Sequence, residues 1–203
     1  APMRSAQRGG LSHAYPEERH LQSEQHRHPV RGTGSHQTIN KGVDVGSNTG
    51  NGVYSNFANS KLVNKGTIFS LANVAVLLTQ SGTQVENKAG ATMFGTHALS
   101  LGGANVKNVT VKNDGKLFGH AVDGVGLLAA DISNFKAYNT GEIFGSFAGV
   151  YISAGTPTLA KDSLVDNRGL IHADNIGLYS ANVIARTIKV INREGATIEG
   201  DTY

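Results

Sequence analysis

The chain contains no cysteine. That absence excludes a disulfide framework, a thiolate metal site and a Cys nucleophile together. Charge is also scarce: Asp, Glu, Lys and Arg make up 16% of the 203 residues, against about a quarter in ordinary globular proteins. The net charge of +3 divides into +2 on residues 1–36 and +1 on the remainder. A nucleic-acid surface would need a basic stripe, and the nearly neutral body shows none. No apolar run approaches the roughly 18 residues of a membrane helix, and no signal peptide opens the chain. No membrane span is therefore expected. The first residue is Ala, so we expect a processed or excised product.

Glycine is abundant. Its 26 copies are about twice average usage, and with a 39% apolar fraction they describe a turn-rich all-β chain. A repeat accounts for them. The stretch "VKNDGKLFG" at 111–119 returns as "AYNTGEIFG" at 137–145 and is anticipated by "LVNKGTIFS" at 62–70. Anchoring on the Asn before the Gly gives Asn64, Asn87, Asn113, Asn139, Asn167 and Asn192, spaced by 23, 26, 26, 28 and 25 residues. A fainter copy, "TINKGVDVG", places Asn40 at 24 residues before the first anchor.

The residues around the anchor form columns. Two places before it stand Leu62, Val85, Val111, Ala137, Val165 and Val190, and after the Gly come Ile68, Met93, Leu117, Ile143, Ile171 and Ile198. A second motif sets a small residue (Gly52, Ala75, Ala98, Gly124, Gly149, Gly177) before an apolar one (Val53, Val76, Leu99, Val125, Val150, Leu178). Two places further on sit Ser55, Leu78, Leu101, Leu127, Ile152 and Ser180. Apolar residues at i and i+2 mean short strands with one buried face. One period of about three such strands cannot bury that face alone, whereas stacked periods can. Helical repeats need a helix-forming stretch, and the Val, Ile, Thr, Gly and Asn here are poor helix formers.

The expected fold is therefore all-β, a single-stranded parallel β-helix of about six coils, right-handed, preceded by a polar arm. Residues 1–36 form the His-rich arm, and 37–203 the β-helix of about 25-residue coils. The Asn column is read as structural: Asn tolerates unusual corner angles, the following Gly supplies positive φ, and stacked amides can bond coil to coil. Insertions such as Lys88-Ala89 and Arg193-Glu194 fall at this corner, where extra residues can bulge outward.

With the columns in place, the repeats "LVNKGTIFS", "VENKAGATMFG", "VKNDGKLFG", "AYNTGEIFG", "LVDNRGLIHA" and "VINREGATIEG" resemble those of bacterial autotransporter passenger domains and large secreted RTX-type surface proteins. The resemblance covers about residues 38–200 and implies an extracellular or bacterial cell-surface stalk or adhesive surface. The chain departs from both groups. It has no G-G-x-G-x-D calcium nonapeptide and no C-terminal amphipathic strands for a translocator barrel.

Several residue sets invite a functional reading. Phe69, Phe94, Phe118 and Phe144, followed by His172 and Glu199, occupy the place after the inward Ile column and by alternation point outward. Four stacked rings make an apolar stripe suited to a partner or to self-association, unless they turn inward at a corner or lie under the arm. Tyr54, Tyr151 and Tyr179 share another outward column, interrupted by Leu77, Ser100 and Gly126, and could stack on sugar rings. Polysaccharide lyases and hydrolases also use β-helices, and their chemistry needs clustered carboxylates or carboxylates beside a base or cation. His97 and Asp123 align in one column, but nothing else converges on them, and Asp44, Asp131, Asp162, Asp166 and Asp174 fall in different columns. "HRH" in the arm, with His13, His20, His26, His28 and His36 around it, lacks tetrahedral spacing, so no metal and no cofactor is expected.

The reading is thus a non-catalytic structural or adhesive segment whose partners are other protein chains, with polysaccharide as the other ligand and a polysaccharide-acting lyase or hydrolase as the enzyme alternative. The chain stops at "TIEGDTY", where another coil would begin. We expect either a piece of a longer passenger or a filament subunit stacking end to end.

Overall fold

Short alternating segments between Gly and Asn corners fold as expected into strands, and the strands wind into stacked coils. The computed structural model describes residues 34, 36–154, 162–181 and 188–201. The first coil is β1 (His36–Ile39), β2 (Asp44–Ser47) and β3 (Val53–Ser55). The second is β4 (Lys61–Asn64), β5 (Thr67–Ser70) and β6 (Val76–Leu78). The third is β7 (Gln84–Asn87), β8 (Thr92–Gly95) and the first part of β9 (His97–Asn113). The fourth is the rest of β9, β10 (Lys116–Gly119) and the first part of β11 (Val125–Asn139). The fifth is the rest of β11, β12 (Glu142–Gly145) and β13 (Ala148–Ser153). The sixth is β14 (Ser163–Asn167), β15 (Leu170–Ala173) and β16 (Ile176–Ala181). After it come β17 (Ile188–Asn192) and β18 (Thr197–Gly200). The described chain thus makes six three-strand coils and two strands of a further one.

The second strands form one seven-stranded parallel sheet, β2-β5-β8-β10-β12-β15-β18. The first and third strands join into an eleven-stranded sheet, because β9 and β11, at 17 and 15 residues, run through a corner without a break. These two strands exceed the short length expected from the repeat. Their inserted corner residues pair with one another, Val106 with Ile132 and Val109 with Phe135, and Phe135 is fully buried.

Register follows the repeat. Val85 pairs with Val111 and Val111 with Ala137, while Met93, Leu117, Ile143 and Ile171 are successive partners in the other sheet. These columns are buried and form a single core, so like side chains touch like down the axis.

Two registers differ from the expected ones. Leu99 pairs with Leu127 and Leu101 with Ala129, so the small residue of the fourth coil is Gly126 and not Gly124. The column there lies two residues further along the chain than expected, and burial of Leu127 rather than local spacing sets the pairing. In the first coil Ile39, not Asn40, pairs with Asn64. Ile39 is buried and Asn40 exposed, since the inward position of that strand takes the apolar side chain. β1 opens at His36, and Gly34 N–H donates to Ala58 O at 3.1 Å. The rest of the arm lies outside the described residues.

Candidate functional site

The anchor asparagines end the first strand of every described coil after the first and face inward. Asn64 Nδ2 donates to Asn87 Oδ1 at 2.9 Å, and Asn87 to Asn113, Asn113 to Asn139, Asn139 to Asn167 and Asn167 to Asn192 follow at 2.8 Å each. The same Nδ2 atoms also donate to the carbonyls of Thr92, Lys116, Glu142, Leu170 and Thr197 at 2.8–3.1 Å. Buried amides must find partners, and this ladder supplies them in one direction along six coils.

The expected corner geometry is not what makes Asn and Gly necessary here. None of the ladder asparagines has positive φ, and neither do Gly66, Gly115, Gly141 or Gly169. A Cβ at Gly115 would instead drive into the Ala91 carbonyl of the preceding coil. Close backbone approach fixes the glycine. Positive φ is used where the corner carries two extra residues, as at Gly90 (φ 78°), with Ala91 N–H bonded to Lys88 O at 2.9 Å. That is a tight turn with Gly at its third position, and it leaves the flanking columns in register.

A further column escaped the sequence reading. Gly34, Asn59, Gly82, Asn108, Asn134 and Asp162 all have φ between 54° and 77°. Each lies three residues before a register-matched position of the first strand: Gln37, Leu62, Val85, Val111, Ala137 or Val165. Every full coil therefore turns through a left-handed residue, and Gly, Asn and Asp are the residues that accept it. The alternation of Gly with Asn in this column was its only signal.

The phenylalanines pair in one outward column, Phe69 with Phe94, Phe94 with Phe118 and Phe118 with Phe144, with His172 beyond. Ring centroids are 5.6 Å apart for Phe94 and Phe118, 4.6 Å for Phe118 and Phe144, and 4.8 Å for Phe144 and His172. His120 adds a parallel ring 4.5 Å from Phe94. The stripe is less exposed than expected: Phe69, Phe94 and Phe118 are half-buried and Phe144 is buried. Phe94, Phe118 and Phe144 cover one another in turn, and the Phe69 ring lies over Gly46, where a Cβ would collide with it.

The tyrosines divide. Tyr54, Leu77, Ser100, Leu128, Tyr151 and Tyr179 are successive partners, so Leu128 and not Gly126 interrupts the row. Tyr151 and Tyr179 have centroids 5.0 Å apart, and Phe147 meets them edge-on at 6.1 and 5.7 Å. Tyr54 stands four coil steps from Tyr151, about 19 Å at the ladder spacing. His97 pairs with Val125 rather than Asp123, yet His97 and Asp123 line one pocket with Val125, Leu128, Phe147 and Tyr151. Val125 N–H donates to His97 Nδ1 at 3.2 Å. Burial pushes the His97 pKa down, against the opposing pull of the Asp123 carboxylate and the Thr96 carbonyl.

No family model, no curated protein and no solved structure matches the chain.

Ion pairs tie neighbouring coils on the outer surface. Glu86 accepts from Lys61 at 2.8 Å and Lys88 at 2.6 Å, and Asp166 is held by Arg193 at 2.7 and 2.9 Å. The Arg193 guanidinium is the main reason that the Asp166 pKa is lowered. Glu142 bridges Lys116 at 2.8 Å and His172 at 3.1 Å. Burial would raise its pKa, but the bonds from Lys116 and His172 outweigh that and lower it. Apart from Lys88 with Glu86, these pairs join residues about a coil apart, which is why sequence reading missed them. Among the described residues no group of three or more His, Asp or Glu is placed to hold a metal ion. None of these residues is helical, so no helix is long and apolar enough to cross a membrane. His13, His20, His26 and His28 lie outside the described residues.

Proposed function

We propose that the chain is a non-catalytic structural segment of a bacterial surface or secreted protein, a stiff β-solenoid that associates with other protein chains through its outer Phe column. The observation that carries this reading is the unbroken amide ladder from Asn64 to Asn192. It is buried from Asn64 to Asn167 and ties each coil to the next, which is the property a stiff rod needs. The resemblance of the repeats to passenger domains supports the surface location.

The association proposed is lateral. Phe69, Phe94 and Phe118 present partly buried rings along one side, the composition of an interface core.

Light scattering on the full chain over a concentration series tests this. We expect association in the wild type and its loss in the Phe94→Ser, Phe118→Ser double variant, with far-UV circular dichroism unchanged. A wild type that stays monomeric throughout, or a double variant that associates equally well, would defeat the Phe-column reading.

A further inference from the structure

The pocket beside the Tyr pair opens over the third strands of the coils, on a different face from the Phe column. Its volume is about 290 Å³, and its lining is His97, Asp123, Val125, Leu128, Phe147 and Tyr151. One wall is aromatic and ordered before any ligand arrives. Phe147 meets both Tyr rings edge-on, an arrangement favoured by the ring quadrupoles, so little rotamer freedom remains to be lost on binding.

The polar side of the pocket is specific. Since the Val125 N–H occupies Nδ1 of His97, the neutral ring carries its proton on Nε2, a donor that a ligand would share with the Thr96 carbonyl. Asp123 offers acceptors only. No described Lys or Arg lines the pocket. It therefore presents an aromatic face, one neutral donor and one carboxylate.

We propose that this pocket binds a neutral pyranoside glycan, with the C–H face of one sugar ring on Tyr151 and its hydroxyls held by Asp123 and His97. Each element of the ligand follows from the lining. A sugar ring combines an apolar face with hydroxyls at its rim, matching a mostly apolar pocket with few polar groups. A purely apolar ligand would strip water from Asp123 without replacing its hydrogen bonds. A uronate or phosphate would meet a carboxylate and no cation. Tyr179, one coil beyond Tyr151, prolongs the aromatic surface along the solenoid axis, so an oligosaccharide can run over both rings. The lining holds a single carboxylate, whereas glycoside hydrolysis ordinarily uses a facing pair, so the proposed act is binding.

This inference is independent of the Phe-column reading, and its failure would leave that reading standing. The test is saturation-transfer NMR and titration calorimetry on the full chain with cellotetraose, chitotetraose and mannotetraose, using trigalacturonate as the anionic control. We expect at least one neutral oligosaccharide to bind and trigalacturonate not to. Tyr151→Ala and Asp123→Asn should each weaken that binding about tenfold or more. Tyr54→Ala, in the same column but outside the pocket, should leave it unchanged. Asp123 is exposed, so its variant keeps the test decisive if Tyr151→Ala disturbs the fold. Absence of binding by all three neutral probes, equal binding of trigalacturonate, or wild-type affinity in a folded Asp123→Asn variant would each overturn the proposal.

Discussion

Asn113 donates its Nδ2 proton to Oδ1 of Asn139, 26 positions along the chain and one coil away, at 2.8 Å. The same nitrogen reaches the Glu142 carbonyl at 3.1 Å, and Asn113 Oδ1 accepts from Asn87 at 2.8 Å. Asn113→Ala therefore cuts the ladder twice and leaves the buried oxygen of Asn139 without its donor. An orphaned buried group costs about 1–3 kcal/mol; with the cavity added we expect about 3 kcal/mol in urea unfolding. Asn113→Asp should cost more, since a carboxylate oxygen would then face Asn139 Oδ1. Asn192→Ala, at the exposed end, should cost under about 1 kcal/mol. Equal losses at the two positions would show that the ladder carries no special share of stability.

Glu86 has its pKa lowered from an ordinary 4.5 to about 2, chiefly by the hydrogen bond from Lys61 and then by that from Lys88. A carboxyl whose folded value is depressed adds stability above its unfolded value and loses it as pH falls. The window here is pH 4.5 down to 2. Both lysines are partly exposed, at 33% and 40%, so solvent screens the pair and its worth is about 1 kcal/mol. Glu86→Gln should be less stable than wild type by that amount at neutral pH, and the gap should close as pH approaches 2. Added salt should narrow it as well. Urea midpoints of both proteins across this range check the expectation, and a gap independent of pH would contradict it.

The coil period and its inward columns were legible because they repeat: Leu117 stands in line with Met93 and Ile143, and one buried face allows one register. Reading faltered where a coil changes length. Gly124 and Val125 look locally like the motif, and only the burial of Leu127 beside Leu99 shows that the column shifts by two residues. The reason for a residue was also harder to read than its place. At Asn113 the expected amide ladder is present but the expected unusual corner angle is not, and at Gly115 close approach to a carbonyl of the preceding coil takes the place of positive φ. Candidate sites were least legible of all. His97 and Asp123 meet across a register shift, and Phe147 joins Tyr151 and Tyr179 from outside their column, so no periodic pattern announces the group.

The corner column gives the most local test of the architecture. Asn134 holds φ at 55° directly across from Asn108 at 59°, and its Nδ2 donates to Asn108 Oδ1 at 2.8 Å on the exposed surface. That bond is solvated and adds little, so the backbone angle should dominate any substitution. Gly82 occupies the same place in an earlier coil with φ 74°, which shows that the corner accepts a residue without Cβ. Asn134→Gly should therefore stay within about 0.5 kcal/mol of wild type. Asn134→Val must put a β-branched residue in the left-handed region and should cost about 1–2 kcal/mol. Phe135 follows immediately and is fully buried, so the Val variant cannot relax by sliding the strand without withdrawing that ring from the core. Guanidinium unfolding of the two variants decides the matter: if Val is tolerated as well as Gly, the left-handed turn is not what shapes this corner.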